Sequence, residues 1–211
     1  MEDQFQTVTI TLAKPGLFCN PVDKNGEGIT NPSTHLTCYD KPLLTRWDPK
    51  PEQLTATDQF GEWALNVRSQ SSAFCVPTAD LTNPQQQANG AVSSALLALQ
   101  ATEIDNYNLY WAKRTPRTPK FERRTVSLVD QWIDENVEVI RPLRFATPAE
   151  ISPEEYIDKA AKLTCYKIKM VGKFEQRDVK IQNRFGQETL SVKKPSMLCL
   201  PSEQLAAPPP G

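Results

Sequence analysis

Histidine is nearly absent from this chain of 211 residues: His35 is the only one. That scarcity removes most triad and metal chemistry, which relies on imidazole as base or ligand. A basic excess is missing as well. With 24 Lys and Arg against 25 Asp and Glu, the net charge is −1. Little phosphate counterion could be released by such a surface, so electrostatic nucleic-acid binding is excluded. No run approaches the roughly 18 apolar residues of a membrane span, and no signal peptide opens the sequence. Glycine is scarce at 8 while proline reaches 18. A composition of this kind is expected to give short strands and loops in a soluble, mainly β protein without an enzyme's machinery.

What is present is self-similarity, and it sets the reading of the fold. An aromatic follows a polar pair in Asp3-Gln4-Phe5, Asp58-Gln59-Phe60, Asp130-Gln131-Trp132 and Asn183-Arg184-Phe185. After each come alternating apolar residues: Ile10 and Leu12, Leu65 and Val67, Val137 and Val139, Leu190 and Val192. Cys19, Cys75, Ala146 and Cys199 then fall in register, each followed by Pro21, Pro77, Pro148 or Pro201. Pro15, Pro142 and Pro195 precede three of these positions, with Ser71 in the remaining copy. The front half aligns too, through Leu36-Thr37-Cys38-Tyr39, Asn108-Leu109-Tyr110 and Leu163-Thr164-Cys165-Tyr166. Leu54 and Ala56, Val126 and Leu128, and Val179 and Ile181 form a further alternating set before the aromatics. The first copy lacks this front half, as a processed product, an engineered piece or an atypical cap would.

Each copy reads as a Cys-Tyr strand, a loop and a β-hairpin. Val179 and Ile181 alternate with Lys180 and Gln182, a half-buried strand; Phe185-Gly186 bends the chain, and Pro195 ends the returning strand. The predicted fold is therefore mainly β: tandem degenerate repeats packed as β-sandwich-like units, with two short helical connectors. The divisions are a partial repeat at 1–22, repeats at 35–79, 107–149 and 163–203, and a proline-rich tail at 204–211. A loop and helix connector spans 80–106, its helix predicted over the Ala/Leu-rich residues 91–103. A second short helix is predicted within 150–162, opened by the capping box Ser152-Pro153-Glu154-Glu155.

Cysteines follow the repeat: Cys38 with Cys75 and Cys165 with Cys199. In the third copy both positions change together, to Leu109 and Ala146, at the spacing of Cys38 and Cys75. Joint loss is the pattern of a bonded pair, because a leftover thiol would be reactive. The plainer alternative is two buried, unbonded thiols acting as small hydrophobes. Disulfides imply an oxidising compartment, extracellular or periplasmic. Cys19 is then a free thiol or bonds a second chain.

The runs FCNPVDKNGEGITNPSTHLTCY and NRFGQETLSVKKPSMLCLPSE resemble an uncharacterised cysteine-bearing β-repeat domain of large bacterial secreted proteins. A unit of that family opens with Cys-Tyr-Lys and closes with Leu-Cys-x-Pro around a Phe-Gly hairpin. Cys165-Tyr166-Lys167 and Leu198-Cys199-Leu200-Pro201 match it, while Asp40, Leu109, Ala146 and Trp132-Ile133 depart from it. The resemblance implies a fold type and an extracellular setting, and no catalytic residues.

Three further patterns carry candidate chemistry. Asp23, Asn25 and Glu27, followed by Gly28, begin like a calcium loop, yet Thr34 stands where a bidentate acid would complete it. The alternative is a polar turn. His35 and Cys38 are an odd offset apart on a strand, so a thiol–imidazole pair is not expected and His35 reads as a surface or turn residue. Trp63 and Trp111, and Trp47 beside them, are candidate exposed aromatics for stacking on sugars or on a protein, or else core residues. The functional expectation is a non-catalytic structural or interaction module that acts by self-assembly or by binding a protein partner. The alternative is a carbohydrate-binding module using Trp63 or Trp111, and no cofactor other than calcium is implied.

Overall fold

A computed structural model describes residues 1–7, 9, 11–42, 51–82, 104–151 and 155–205. Twelve strands run through them: β1 (Pro15–Cys19), β2 (Asp23–Lys24), β3 (His35–Asp40), β4 (Glu52–Asp58), β5 (Gly61–Asp80) and β6 (Asn106–Arg114) come first. They are followed by β7 (Arg124–Val129), β8 (Asp134–Ala149), β9 (Lys162–Met170), β10 (Arg177–Asn183), β11 (Gly186–Val192) and β12 (Met197–Leu205). All pairings among them are antiparallel. Alternation explains the strands locally: Val179 and Ile181 are buried while Lys180 between them is exposed. Hairpins β4–β5 and β10–β11 turn at Gly61 (φ +128°) and Gly186 (φ +118°), conformations that a side chain would strain.

One curled ladder organises the molecule. Its strand order is β1, β3, the second half of β5, β6, the second half of β8, β9 and β12. Along one edge the first halves of β5 and β8 pair with β4 and β7 in place of β3 and β6, while their other edges stay with β6 and β9. They change partners at irregularities beside Ser71 and Pro142, where the register shifts. Pro142 thus stands next to a bulge-like irregularity, a place where proline is tolerated in a sheet. The end of β12 reaches β4, which closes β4, β5, β6, β8, β9 and β12 into a hydrogen-bonded ring. Where sandwich-like units were expected to stack through side chains, backbone ladders join the segments, since an open edge leaves amides unpaired.

Both faces of the curl carry apolar clusters. Leu36, Cys38, Ala73, Cys75, Leu109 and Ala146 form one buried cluster, against which Leu17 and Cys19 of β1 and Met197 of β12 pack. A second cluster, Leu54, Leu65, Val67, Tyr110 and Phe145, fills the opposite side of the same strands.

The helix expected within 150–162 is not formed by its described residues. Residues 155–161 carry bends and a turn, and β9 starts at Lys162. The carboxylate of Asp105 accepts the amides of Ile157 (2.8 Å) and Asp158 (2.9 Å), and Asp158 caps Ala160. These tertiary acceptors take N–H groups that the expected helix would have used in its own i→i−4 bonds. The helix expected over 91–103, the tail from 206 onward and Trp47 lie outside the described residues.

Candidate functional site

The polar residue two before each of the four aromatics has the same job. Its side-chain oxygen accepts the aromatic's amide: Asp3 to Phe5 (2.9 Å), Asp58 to Phe60 (2.7 Å), Asp130 to Trp132 (2.6 Å) and Asn183 to Phe185 (2.9 Å). These Asx turns fix the hairpin corners.

At three of the four corners the remaining side-chain atom meets a tyrosine from a distant strand. Tyr110 donates to Asp3 Oδ2, and Tyr166 donates to Asp58 Oδ2 at 2.5 Å. Asn183 Nδ2 donates to the Tyr39 hydroxyl at 2.8 Å. Each tyrosine also stands edge-on to the aromatic of that corner: Tyr110 to Phe5 (4.9 Å), Tyr166 to Phe60 (5.1 Å) and Tyr39 to Phe185 (5.1 Å). Burial pushes all three phenols above their ordinary range, Tyr39 to about 12, with the Glu188 hydrogen bond adding to the effect there. They stay protonated and donate. Asp3 gathers the most: Asn108 Nδ2 (2.5 Å) and Thr147 Oγ1 (3.2 Å) join Tyr110 on its Oδ2.

The fourth corner has no tyrosine among the described residues. Asp130 Oδ2 receives only a long contact from Asn20 Nδ2, 3.4 Å away. Asp130 and Trp132 instead border a groove of about 600 Å³. It is lined by β1, by the end of β11 with residues 193–196, and by the start of β12, and Leu17, Cys19, Met197 and Cys199 are among its lining residues. These four are half-buried, whereas Ala73, Cys75, Leu109 and Ala146 at the matching places in the middle of the curl are buried. Among the described residues, no strand pairs the outer edge of β1 or the edge of β12 at residues 197–199.

Both cysteine pairs nominated by the sequence spacing lie at bonding distance, with S–S 2.02 Å for Cys38–Cys75 and 2.04 Å for Cys165–Cys199. Each joins directly opposed residues, and Leu109 opposes Ala146 in the same way. Cys19 is free. Burial raises its thiol to about 11, against an opposing pull from Arg144, so it rests as a neutral thiol. No protein-family model, curated protein or solved structure matches this chain. The site is therefore read from its own geometry.

The other nominated residues fall elsewhere. Asn25 Oδ1 accepts the Ser127 amide at 2.9 Å, and Glu27 pairs with Lys24. Asp23 lies in β2, paired with Val129. No group of three or more His, Cys, Asp or Glu side chains able to hold a metal occurs among the described residues. His35, expected on a surface or in a turn, is instead buried in β3 at 1% exposure. Phe18 stacks on its ring, and Nδ1 lies 3.1 Å from Asn20 Oδ1. Burial lowers its pKa to about 4, with Asp80 opposing. Trp63 packs between two clusters and lies 5.1 Å from Phe121. Trp111 is half-buried, with the Arg144 guanidinium 4.0 Å over its ring.

Sequence reasoning anchored on the four aromatics and missed the Asx residues and tyrosines that serve them. The signal was available: Asp or Asn stands two before every anchor, and Tyr follows each Cys38, Leu109 and Cys165.

Proposed function

We propose that this protein is a non-catalytic structural or interaction module, built from degenerate repeats, that works by assembly or by binding a protein partner. The observation that carries the reading is the groove between β1 and β12, where two strand edges face one apolar slot. Unpaired edges of this kind bind extended polypeptide through main-chain hydrogen bonds. Three matching corners and one incomplete corner support the division into repeats, of which the first is partial. Disulfides persist in oxidising compartments, which supports an extracellular or periplasmic setting and agrees with the resemblance to bacterial secreted repeats.

Sedimentation of the oxidised chain over a range of concentrations tests the reading. The expected result is species heavier than the 23.7 kDa monomer, lost when Leu17→Lys places a charge in the groove. A strictly monomeric chain whose tryptophan fluorescence is quenched by oligosaccharides, with the response lost in Trp111→Ala, would refute it in favour of a carbohydrate-binding module.

A further inference from the structure

The groove repeats the surroundings of a strand that occurs three times elsewhere in the molecule, and the register says which strand it is missing. Each cysteine-position strand has two neighbours in the curl. On one side the two cysteine positions oppose each other: Cys38 to Cys75, Leu109 to Ala146, Cys165 to Cys199. On the other side the pairing is displaced by two residues: Leu17 to Cys38, Ala73 to Leu109, Arg144 to Cys165. The displacement recurs at all three junctions. A fourth such junction would bring the total stagger to about eight residues around eight strands, a combination with which barrels close.

Parity agrees with one missing strand. Strands alternate in direction along the curl, and its two ends, β1 and β12, occupy equivalent places in that alternation. A single antiparallel strand therefore completes both edges at once. The corner chemistry agrees as well. Three tyrosines that follow a cysteine position reach Asp3, Asp58 and Asn183, and Asp130 alone stands without one, beside the groove. The neighbourhood of β12 also leaves the right seat. On β5, residues 78–80 meet β10 while residues 71–75 pair β6 along the same edge. On β12, residues 203–205 meet β4 in the same manner, and the stretch before them is the wall of the groove.

Resting on the reading of the protein as an interaction module, we infer that the groove binds one extended strand of the Cys-Tyr type, supplied by a second polypeptide chain. Its cysteine opposes Cys19 on β1 and Met197 on β12, and its tyrosine hydroxyl donates to Asp130 Oδ2 with the ring against Trp132. The strand is not drawn from β3, β6 or β9, because each is already paired on both edges. Where the incoming cysteine arrives as a mixed disulfide with a small thiol, exchange locks the strand in place. Cys19 gives its proton to solvent and its sulfur bonds the strand's sulfur. The small thiol leaves with the electron pair of the broken S–S bond and takes up a proton, so no separate oxidant is consumed.

The test uses the full chain with its two disulfides intact and a synthetic peptide of the β9 sequence, KLTCYKIKM, activated at cysteine as a 2-thiopyridyl disulfide. Intact mass and peptide mapping follow the adduct; hydrogen exchange follows the amides of β1 and of residues 197–199. The expected result is one peptide per chain on Cys19, with both sets of amides protected. Replacing the peptide's tyrosine by phenylalanine slows adduct formation about tenfold, the worth of one hydrogen bond to a charged acceptor. Asp130→Ser, which keeps an oxygen able to cap the Trp132 amide but has no second atom to meet the hydroxyl, abolishes that tyrosine dependence. With Cys and Tyr exchanged in the peptide, the cysteine meets Cys19 only if the strand slips by one residue and turns its other side chains over, so the rate falls to that of the small disulfide alone. With Cys19→Ser, protection persists without a covalent adduct. Equal rates for the native peptide, the exchanged peptide and the small disulfide would overturn the inference, as would an adduct that leaves the amides unprotected. If the chain still assembles in sedimentation while the peptide fails, this assignment of the groove falls and the interaction module stands.

Discussion

Leu109 and Ala146 offer a direct test of the ladder, because they oppose each other in the register that holds the two disulfides. The perturbation is the double substitution Leu109→Cys with Ala146→Cys. The new bridge would close a loop equal to that of Cys38–Cys75, a separation of 37 residues, which stabilises by about 4 kcal/mol on the chain-entropy account. Leu109 is 4% exposed, and trimming it to cysteine removes apolar volume worth about 2 kcal/mol. The oxidised double variant should therefore gain about 2 kcal/mol over the parent chain. The single variant Leu109→Cys should lose about 2 kcal/mol, since it carries the packing loss without the bridge. Urea unfolding of the three proteins gives these differences, and alkylation without reduction shows whether the bridge has formed. Two reactive thiols in the purified double variant, or a bridged variant no more stable than Leu109→Cys, would refute the register argument.

Lowering pH should weaken the fold through His35. Its folded pKa is about 4 against an ordinary 6.5, so the unfolded chain binds the extra proton between these values and stability falls as pH drops through that window. His35→Gln should flatten that part of the urea-midpoint profile. Asp3→Ala strands three buried donors, from Asn108, Tyr110 and Thr147, and is expected to cost about 3 kcal/mol; calorimetry of the variant showing under about 1 kcal/mol would mean the N-terminal arm is not docked as described. Trp63→Ala should destabilise by about 2–3 kcal/mol in urea unfolding, because the indole packs between two clusters rather than on a rim.

Much of the local architecture was legible because it rests on periods and on residues with narrow conformational uses. Alternation marks β10, Phe60-Gly61 and Phe185-Gly186 mark two hairpin turns, and the cysteine spacing nominates the pairs that the structure brings together. The candidate site was less legible. Cys19 was singled out, yet Asp130, Trp132 and the wall of β12 come to it from distant parts of the chain. The described residues of the helix expected within 150–162 take another form for a related reason. A signature of helix initiation counts only local partners, and Asp105, far away in sequence, takes the amides of Ile157 and Asp158. His35 shows the same limit: a lone polar residue near a turn looked exposed until Phe18 and Asn20 closed over it.

The sequence by itself determined the strand type, the hairpin corners and which cysteines keep company, because side-chain period, glycine freedom and residue spacing act over a few positions at a time. Tertiary structure alone decided that strands far apart in sequence share one curled ladder, that each tyrosine serves a corner distant from it in the chain, and that one place in the curl is left open. Those outcomes depend on which edge pairs with which and on a two-residue stagger summed around the curl, and no local pattern encodes a sum of that kind.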